Sequence, residues 1–558
     1  MMFDETVDVL VAGTGAAGCA AAIGAVTHGA EKVLVVEKAK RLVGGTTKLA
    51  GGGWLWCPNN RFLKQKGVHQ SPEEITELLK DLAYPDGNAD PLDVELMKAF
   101  AHDWPVVVET LQQEKLLVLK EVDVRDGDED ATRIEGLIRE KMKSDPEFTS
   151  KSGIDESNIK ALSRLMPSYC AHHPLDLCPS GKVLSPEGST SRQLEKAVKK
   201  FAPKTEIRMG YQIIDLIRDE SSQRVIGAKV LNVQTNETKN IRCIHGVVFG
   251  TGGFSHNQDL LKKYFGEENI PYGTCSAKTN TGDLVQICLK ENIPVSGMDL
   301  AWLKQVVLPF DFSKRLGVFF LNADSFMVVD RTGSRFACEK DFYQQRGTQM
   351  FQNKDRKCVF HIYDERSREL FEGPFKSLGG PIPNYGSDDD CVIIGSTVTE
   401  LTRGIRDKLL QVEPNFFLDQ HFESNLEAQL SRFNSYAKSG IDLEFKRGDN
   451  VAQYCWHVPR VSDNELPNKT MHPIDTSNLR CLIMGVSTLD TKGGPRINRN
   501  GQILNGDATP IPGLYGAGNC VRSSTNKSYP ASGVTLSNAV LFGYKAGQHA
   551  MVPGTSKV

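Results

Sequence analysis

The spacing of apolar and polar residues changes repeatedly along this chain, and each change marks an element. Val7-Asp-Val-Leu-Val-Ala12 is a short β-branched run that stops at glycine, as a buried parallel strand does. The Ala-rich stretch from Ala16 to Val26 reads as a helix and Lys32-Val-Leu-Val-Val-Glu37 as a second strand, which makes a βαβ unit. Helical spacing returns from Pro72 to Ala83 and from Pro91 to Leu116. Residues 121–160, with Arg125-Asp-Gly-Asp-Glu-Asp130 at their core, lack apolar periodicity and read as a charged surface insertion. Strand patterns follow at 213–217, 225–231, 240–244 and 246–250, with turns at Ser221-Ser222 and Asn236. From about 291 to 475 helices and strands alternate less regularly, and nucleotide-site signals return after Asp490.

Gly13-Thr-Gly15-Ala16-Ala17-Gly18 lies between the first strand and the first helix, and Glu37 closes the next strand. Such glycines allow a tight turn, the helix N-terminus faces a pyrophosphate, and an acid about 20 residues on accepts ribose hydroxyls. NAD and FAD share this fingerprint. Gly44-Gly45-Thr46-Thr47, Gly51-Gly52-Gly53, Thr251-Gly252-Gly253 and Gly513-Leu-Tyr-Gly-Ala-Gly518-Asn519 add further close approaches of backbone to an extended cofactor, which favours FAD. The predicted class is α/β (α+β overall). A Rossmann-like FAD-binding domain, residues 1–290 and 476–558, is interrupted by an α+β substrate domain at 291–475.

Composition narrows the setting. A net charge of −3 over 558 residues predicts no general attraction to nucleic acid. No stretch of ~18 apolar residues occurs, so no transmembrane segment is expected. Apolar Val7 to Val26 lacks a basic leader and belongs to the fold rather than to a signal peptide. The 13 cysteines are scattered without a C-x-x-C, which points to a reducing compartment and a cytoplasmic location. Ser556-Lys-Val558 differs only at its last position from a peroxisomal address, and chance is the preferred reading of that match.

Thr488-Leu-Asp-Thr-Lys-Gly-Gly494, Ile511-Pro-Gly-Leu-Tyr-Gly-Ala-Gly-Asn519 and Tyr529-Pro-Ala-Ser-Gly-Val-Thr-Leu536 resemble the ketosteroid Δ1-dehydrogenase branch of the fumarate reductase flavoprotein superfamily. The resemblance implies that Lys38, Ile213, Asp283, Thr535 and Leu536 join the cofactor contacts. Residues 44–53 hold no His, so noncovalent FAD is implied. It also places the Tyr529 hydroxyl and the Gly533 N–H on a substrate carbonyl, where two donors can hold developing negative charge. Tyr343, shortly after Gly333-Ser-Arg-Phe-Ala-Cys-Glu339, takes the place of the base, with Tyr169 in Pro167-Ser-Tyr169 as the phenol that assists it. Arg335 and Glu339 are expected to form a structural ion pair.

The implied reaction is desaturation of a small apolar cyclic ketone, steroidal or simpler, at its α,β carbons, with electrons passed to an unidentified acceptor. An ene reductase running in the opposite direction is the first alternative. Its fumarate-type form needs arginines for two carboxylates, yet Lys527-Ser-Tyr-Pro-Ala-Ser-Gly533 has none and Phe342 stands where the relay Arg is expected. Arg522 leaves room for a substrate with one acidic group. A non-catalytic flavoprotein and a membrane-linked dehydrogenase subunit are the remaining readings.

Overall fold

The computed structural model describes residues 2–50, 53, 55–65, 69–121, 139, 142–143, 182–184, 190–308, 321, 323–372, 391–449, 453 and 464–553. Gly52, Tyr169, most of the charged stretch at 121–160 and the C-terminal tripeptide lie outside the described residues.

The first strand, β1 (Glu5–Ala12), runs parallel to β2 (Val33–Glu37), joined by helix α1 (Ala16–Thr27). Val9, Leu10 and Val11 are fully buried, as a strand covered on both faces requires. The sheet continues in the order Gln502–Leu504, Pro510–Gly516, Thr238–Phe249, β1, β2 and Thr205–Met209. All neighbours in that row are parallel except the Gln502–Leu504 edge. Tyr211–Arg218 and Val225–Asn232 extend the sheet as an antiparallel meander onto Thr238–Phe249.

That last strand corrects one expectation. The two short strands read at 240–244 and 246–250 form a single 12-residue strand. Its partner register moves from Val7 opposite Cys243 to Val9 opposite Gly246, so an extra residue is accommodated as a bulge. One edge of the strand follows β1 from Ile241 to Phe249, while the other edge meets the meander over residues 238–242 and Pro510–Gly516 over residues 247–249.

A second, antiparallel sheet has the order Ala301–Leu308, Leu479–Thr491, Cys358–Tyr363 and Phe326–Val329, with Val392–Gly395 also against Leu479–Thr491. Its long strand, Leu479–Thr491, lies beyond residue 475. It passes through the middle of this sheet and delivers Asp490 to the edge of the nucleotide sheet, where Gly253 N–H donates to that carboxylate.

The chain's first helix packs on its last, Val534–Ala550, at backbone contact distance. A Cβ on Gly543 would stand 2.3 Å from the Ala17 carbonyl oxygen, and one on Gly547 2.0 Å from that of Ala21. Only residues without a side chain allow this approach. Among the described residues, no helix is long and apolar enough to cross a membrane.

Candidate active site

A cleft of about 1760 Å³, counted to its open mouth, runs between the two sheets past the C-terminal ends of β1 and β2. Ligands of doubly wound folds bind at this edge. Gly13, with φ +97, turns the chain from β1 into α1, and a Cβ there would sit 2.5 Å from the Gly250 carbonyl oxygen. Gly15 precedes α1 with no side-chain cap, which leaves the helix N-terminus for a ligand. Thr47 Oγ1 accepts the Ala16 N–H at 3.0 Å. The Glu37 carboxylate is fixed by the Thr14 N–H at 3.0 Å, the Thr14 hydroxyl at 2.6 Å and the Ala39 N–H at 2.9 Å. Three of its roughly four lone-pair positions are thereby used, which leaves acceptor capacity for a ribose hydroxyl. Lys38 pairs with Asp283 at 2.8 Å beside it.

Most of the sequence-predicted cofactor residues line this one cleft: Gly13, Gly15, Ala16, Ala17, Glu37, Lys38, Gly45, Thr46, Thr47, Gly53, Ile213, Thr251, Gly252, Asp283, Gly518, Asn519, Gly533, Thr535 and Leu536. Gly18, Gly44 and Gly253 stand behind the lining. Gly18 closes on the Gly13 carbonyl, Gly44 on Ser191, and Gly253 on Asp490 and Thr491. A Cβ at Gly18 would lie 1.9 Å from the Gly13 oxygen, so Gly18→Val should yield colourless protein. Flavin absorbance per mole of purified protein measures this.

The far end of the cleft is aromatic. Tyr343 and Tyr529 have ring centroids 5.8 Å apart, and Phe342 lies 5.2 Å from Tyr529. Trp302 meets Tyr529 edge to face at 5.0 Å. Contacts of this kind contribute about 0.5–1.5 kcal/mol each and fix ring orientation. Tyr343 opens the helix Tyr343–Met350, and its carbonyl accepts from Gln305 Nε2 at 3.0 Å. The neighbouring Gln344 accepts the Leu303 N–H at 2.7 Å and donates to the Lys527 carbonyl at 3.0 Å. The two tyrosines are thus held through a shared frame. Gly533, at φ +100, is the N-cap of Val534–Ala550, so the Tyr529 hydroxyl and a helix N-terminus face the same space.

Burial, reinforced by hydrogen-bonded Tyr529, pushes the Tyr343 phenol well above its ordinary value. Arg335 and Glu339 form the expected ion pair, bidentate at 2.7 and 2.9 Å, joined by Asp442 at 2.8 Å. Arg522 is held by Asp93 at 2.5 Å and does not line the cleft.

Two lining residues had been given no role in the sequence reading. Asp490 receives Ser255 Oγ at 2.5 Å, Asn280 Nδ2 at 2.8 Å, Asn519 Nδ2 at 3.1 Å and the Gly253 N–H at 3.2 Å. It ties three segments of the cofactor wall together, while its complete burial raises the carboxyl pKa against those donors. Trp302 Nε1 donates to Asn519 Oδ1 at 3.0 Å, joining the aromatic end to the glycine-rich end. Asp490 had appeared only inside a motif, and Trp302 sits in no motif of its own.

An extended cradle with a helix N-terminus capped by glycine, a ribose acid and an aromatic terminus fits FAD, and these features define an FAD-dependent oxidoreductase. A family model described as FAD binding domain matches residues 8–536, and the chain belongs to that family. It is 26% identical to 3-oxosteroid 1-dehydrogenase of Mycolicibacterium smegmatis over 98% of this chain and 97% of that protein. It is 25% identical to 4-oxocyclohexanecarboxylate 2-dehydrogenase of Sinomonas cyclohexanicum, over 98% and 92% respectively. The solved 3-ketosteroid delta1-dehydrogenase from Sterolibacterium denitrificans, in complex with 1,4-androstadiene-3,17-dione, shares the fold. Its TM-score is 0.74 at 23% identity, covering 98% of this chain and 99% of that one.

Proposed function

We propose that this enzyme desaturates a neutral cyclic ketone at its α,β carbons. One observation carries the reading: Tyr343 from one segment and Tyr529 with Gly533 from another line the cleft that holds the cofactor residues, the two phenols at its aromatic end. Tyr529 O–H and Gly533 N–H hold the carbonyl oxygen, which acidifies the neighbouring C–H. Tyr343 takes the α-proton. Bound FAD supplies the hydride acceptor for the β-carbon. The two relatives named above act, by their names, on an oxosteroid and on a related cyclohexanone, which agrees with a cyclic ketone as substrate.

The character of the walls supports a neutral substrate. Trp302, Phe342, Leu489 and the two tyrosines present flat apolar surface, and Arg522 is committed to Asp93. Among the described residues that line the cleft the one basic side chain, Lys38, is paired with Asp283 beside the ribose acid, so a carboxylate at the aromatic end meets no lining cation, and burying an unpaired charge is costly. Under anaerobic conditions a saturated 3-oxosteroid should bleach the flavin absorbance. A 4-oxocyclohexanecarboxylate should do so with at least about 100-fold lower kcat/KM, on the order of the penalty for an unpaired buried group. Equal efficiency with the two would overturn the neutral-substrate reading. Absence of bleaching by any cyclic ketone would remove the dehydrogenase reading itself.

The reverse direction, saturation of an enone, has one observation in its favour. A phenol held protonated by burial is suited to donate the proton that the reverse reaction needs.

A further inference from the structure

Lys492 is a fully buried lysine outside the cleft lining, and the reaction described above gives it no part. Its Nζ donates to the Thr525 hydroxyl at 3.1 Å, to the Ser528 carbonyl at 2.9 Å and to the Asn526 carbonyl. The same nitrogen stands 3.8 Å from the ring centroid of Trp302, the indole that meets Tyr529 edge to face. Its main chain is held as well, by the Leu300 carbonyl at 3.0 Å and by the Ser523 N–H, also at 3.0 Å. One side chain therefore grips the turn that leads into Tyr529 and, from the other side, the indole against which that phenol rests.

We propose that Lys492 is the positioning residue of the oxyanion site, its side-chain nitrogen clamping the 525–528 turn and Trp302 so that the Tyr529 hydroxyl stays aimed at the substrate oxygen. The inference rests on the role given to Tyr529 above. Burial, with Arg522 nearby, draws the Lys492 pKa down. The three contacts hold in either protonation state, because two N–H groups serve the Asn526 and Ser528 carbonyls while the Thr525 hydroxyl can accept a third or donate to the lone pair of the neutral amine. When the amine is charged, all three donors are used. A cation over an indole face is also a favourable placement of charge away from water.

Displacing a catalytic group by about 1 Å costs up to about 100-fold. Lys492→Met holoenzyme should accordingly lose about 10- to 100-fold in kcat, with KM changed less than about threefold and flavin content kept. A residue that acts through Tyr529 has nothing further to lose once that hydroxyl is gone. The double variant Lys492→Met/Tyr529→Phe should therefore be no slower than Tyr529→Phe alone. If the two losses multiply, or if Lys492→Met turns over like wild type while Tyr529→Phe does not, the positioning role is wrong. Wild-type turnover in Tyr529→Phe would instead sink the oxyanion assignment beneath it. Should Lys492→Met fail to fold, Lys492→Gln, one atom shorter and with two donors, runs the same cycle: whatever it loses alone should vanish in the Tyr529→Phe background, and a loss that persists there overturns the positioning role.

Discussion

Tyr529→Phe should lower kcat/KM by about 10²- to 10³-fold, the usual loss when one oxyanion donor is removed. The variant keeps the ring, and with it the contacts to Trp302, Phe342 and Tyr343 that fill the aromatic end of the cleft. Folding and flavin content are therefore expected to match the parent. What disappears is a hydroxyl that lies beside the Tyr343 phenol and 3.5 Å from Thr535 Oγ1, a distance long enough to leave it available to a substrate oxygen. Steady-state rates with an artificial electron acceptor, normalised to bound flavin, measure the effect. A loss smaller than about threefold is incompatible with the phenol as an oxyanion donor, which typically contributes about 2.7–4 kcal/mol.

Tyr343→Phe should be at least as damaging, about 10²- to 10⁴-fold in kcat, because it removes the proton acceptor. Its signature is the pH profile. The base is the phenolate, and burial together with Tyr529 places its pKa above the ordinary phenol value. At neutral pH the active form is thus a minority that grows with pH. Dehydrogenation should speed up about tenfold per pH unit through the neutral and mildly alkaline range, with no plateau below about pH 10. Enone saturation uses the phenol itself, which is already the dominant form, so its rate should stay flat over the same range. Tyr343→Phe should flatten the dehydrogenation profile. A profile in the variant that keeps the parental slope would assign the proton to another group.

The cofactor half of the site was readable from the chain alone because its requirements are local. A β-branched run that ends in glycine, a small-residue helix and an acid at the end of the next strand lie within residues 7–37, and the structure places them as that order implies. Tyr529 and Gly533 were singled out through the resemblance of Tyr529-Pro-Ala-Ser-Gly533 to the ketosteroid branch, and both line the cleft. The rest of the site depends on long-range contacts that leave no period in the sequence. Asp490 gains its meaning from Ser255, Asn280 and Asn519, and Lys492 from Trp302, residues brought together only by the second sheet. The break read at His245 was real as an irregularity, but a bulge and a strand end look alike until the partner strand is known. Extending the second sheet to Thr491 likewise needed the pairing of Ala301–Leu308 with a strand nearly two hundred residues away.

The near-touching backbones of α1 and Val534–Ala550 have a consequence for biosynthesis. Residues made early in translation wait for residues made late before the wall behind the pyrophosphate loop is finished. Until then, the alanine face of α1 has no cover on that side, and the N-cap glycine that closes the aromatic end has not emerged. Stable flavin capture is therefore expected only after residues 534–550 have been made and have docked on α1.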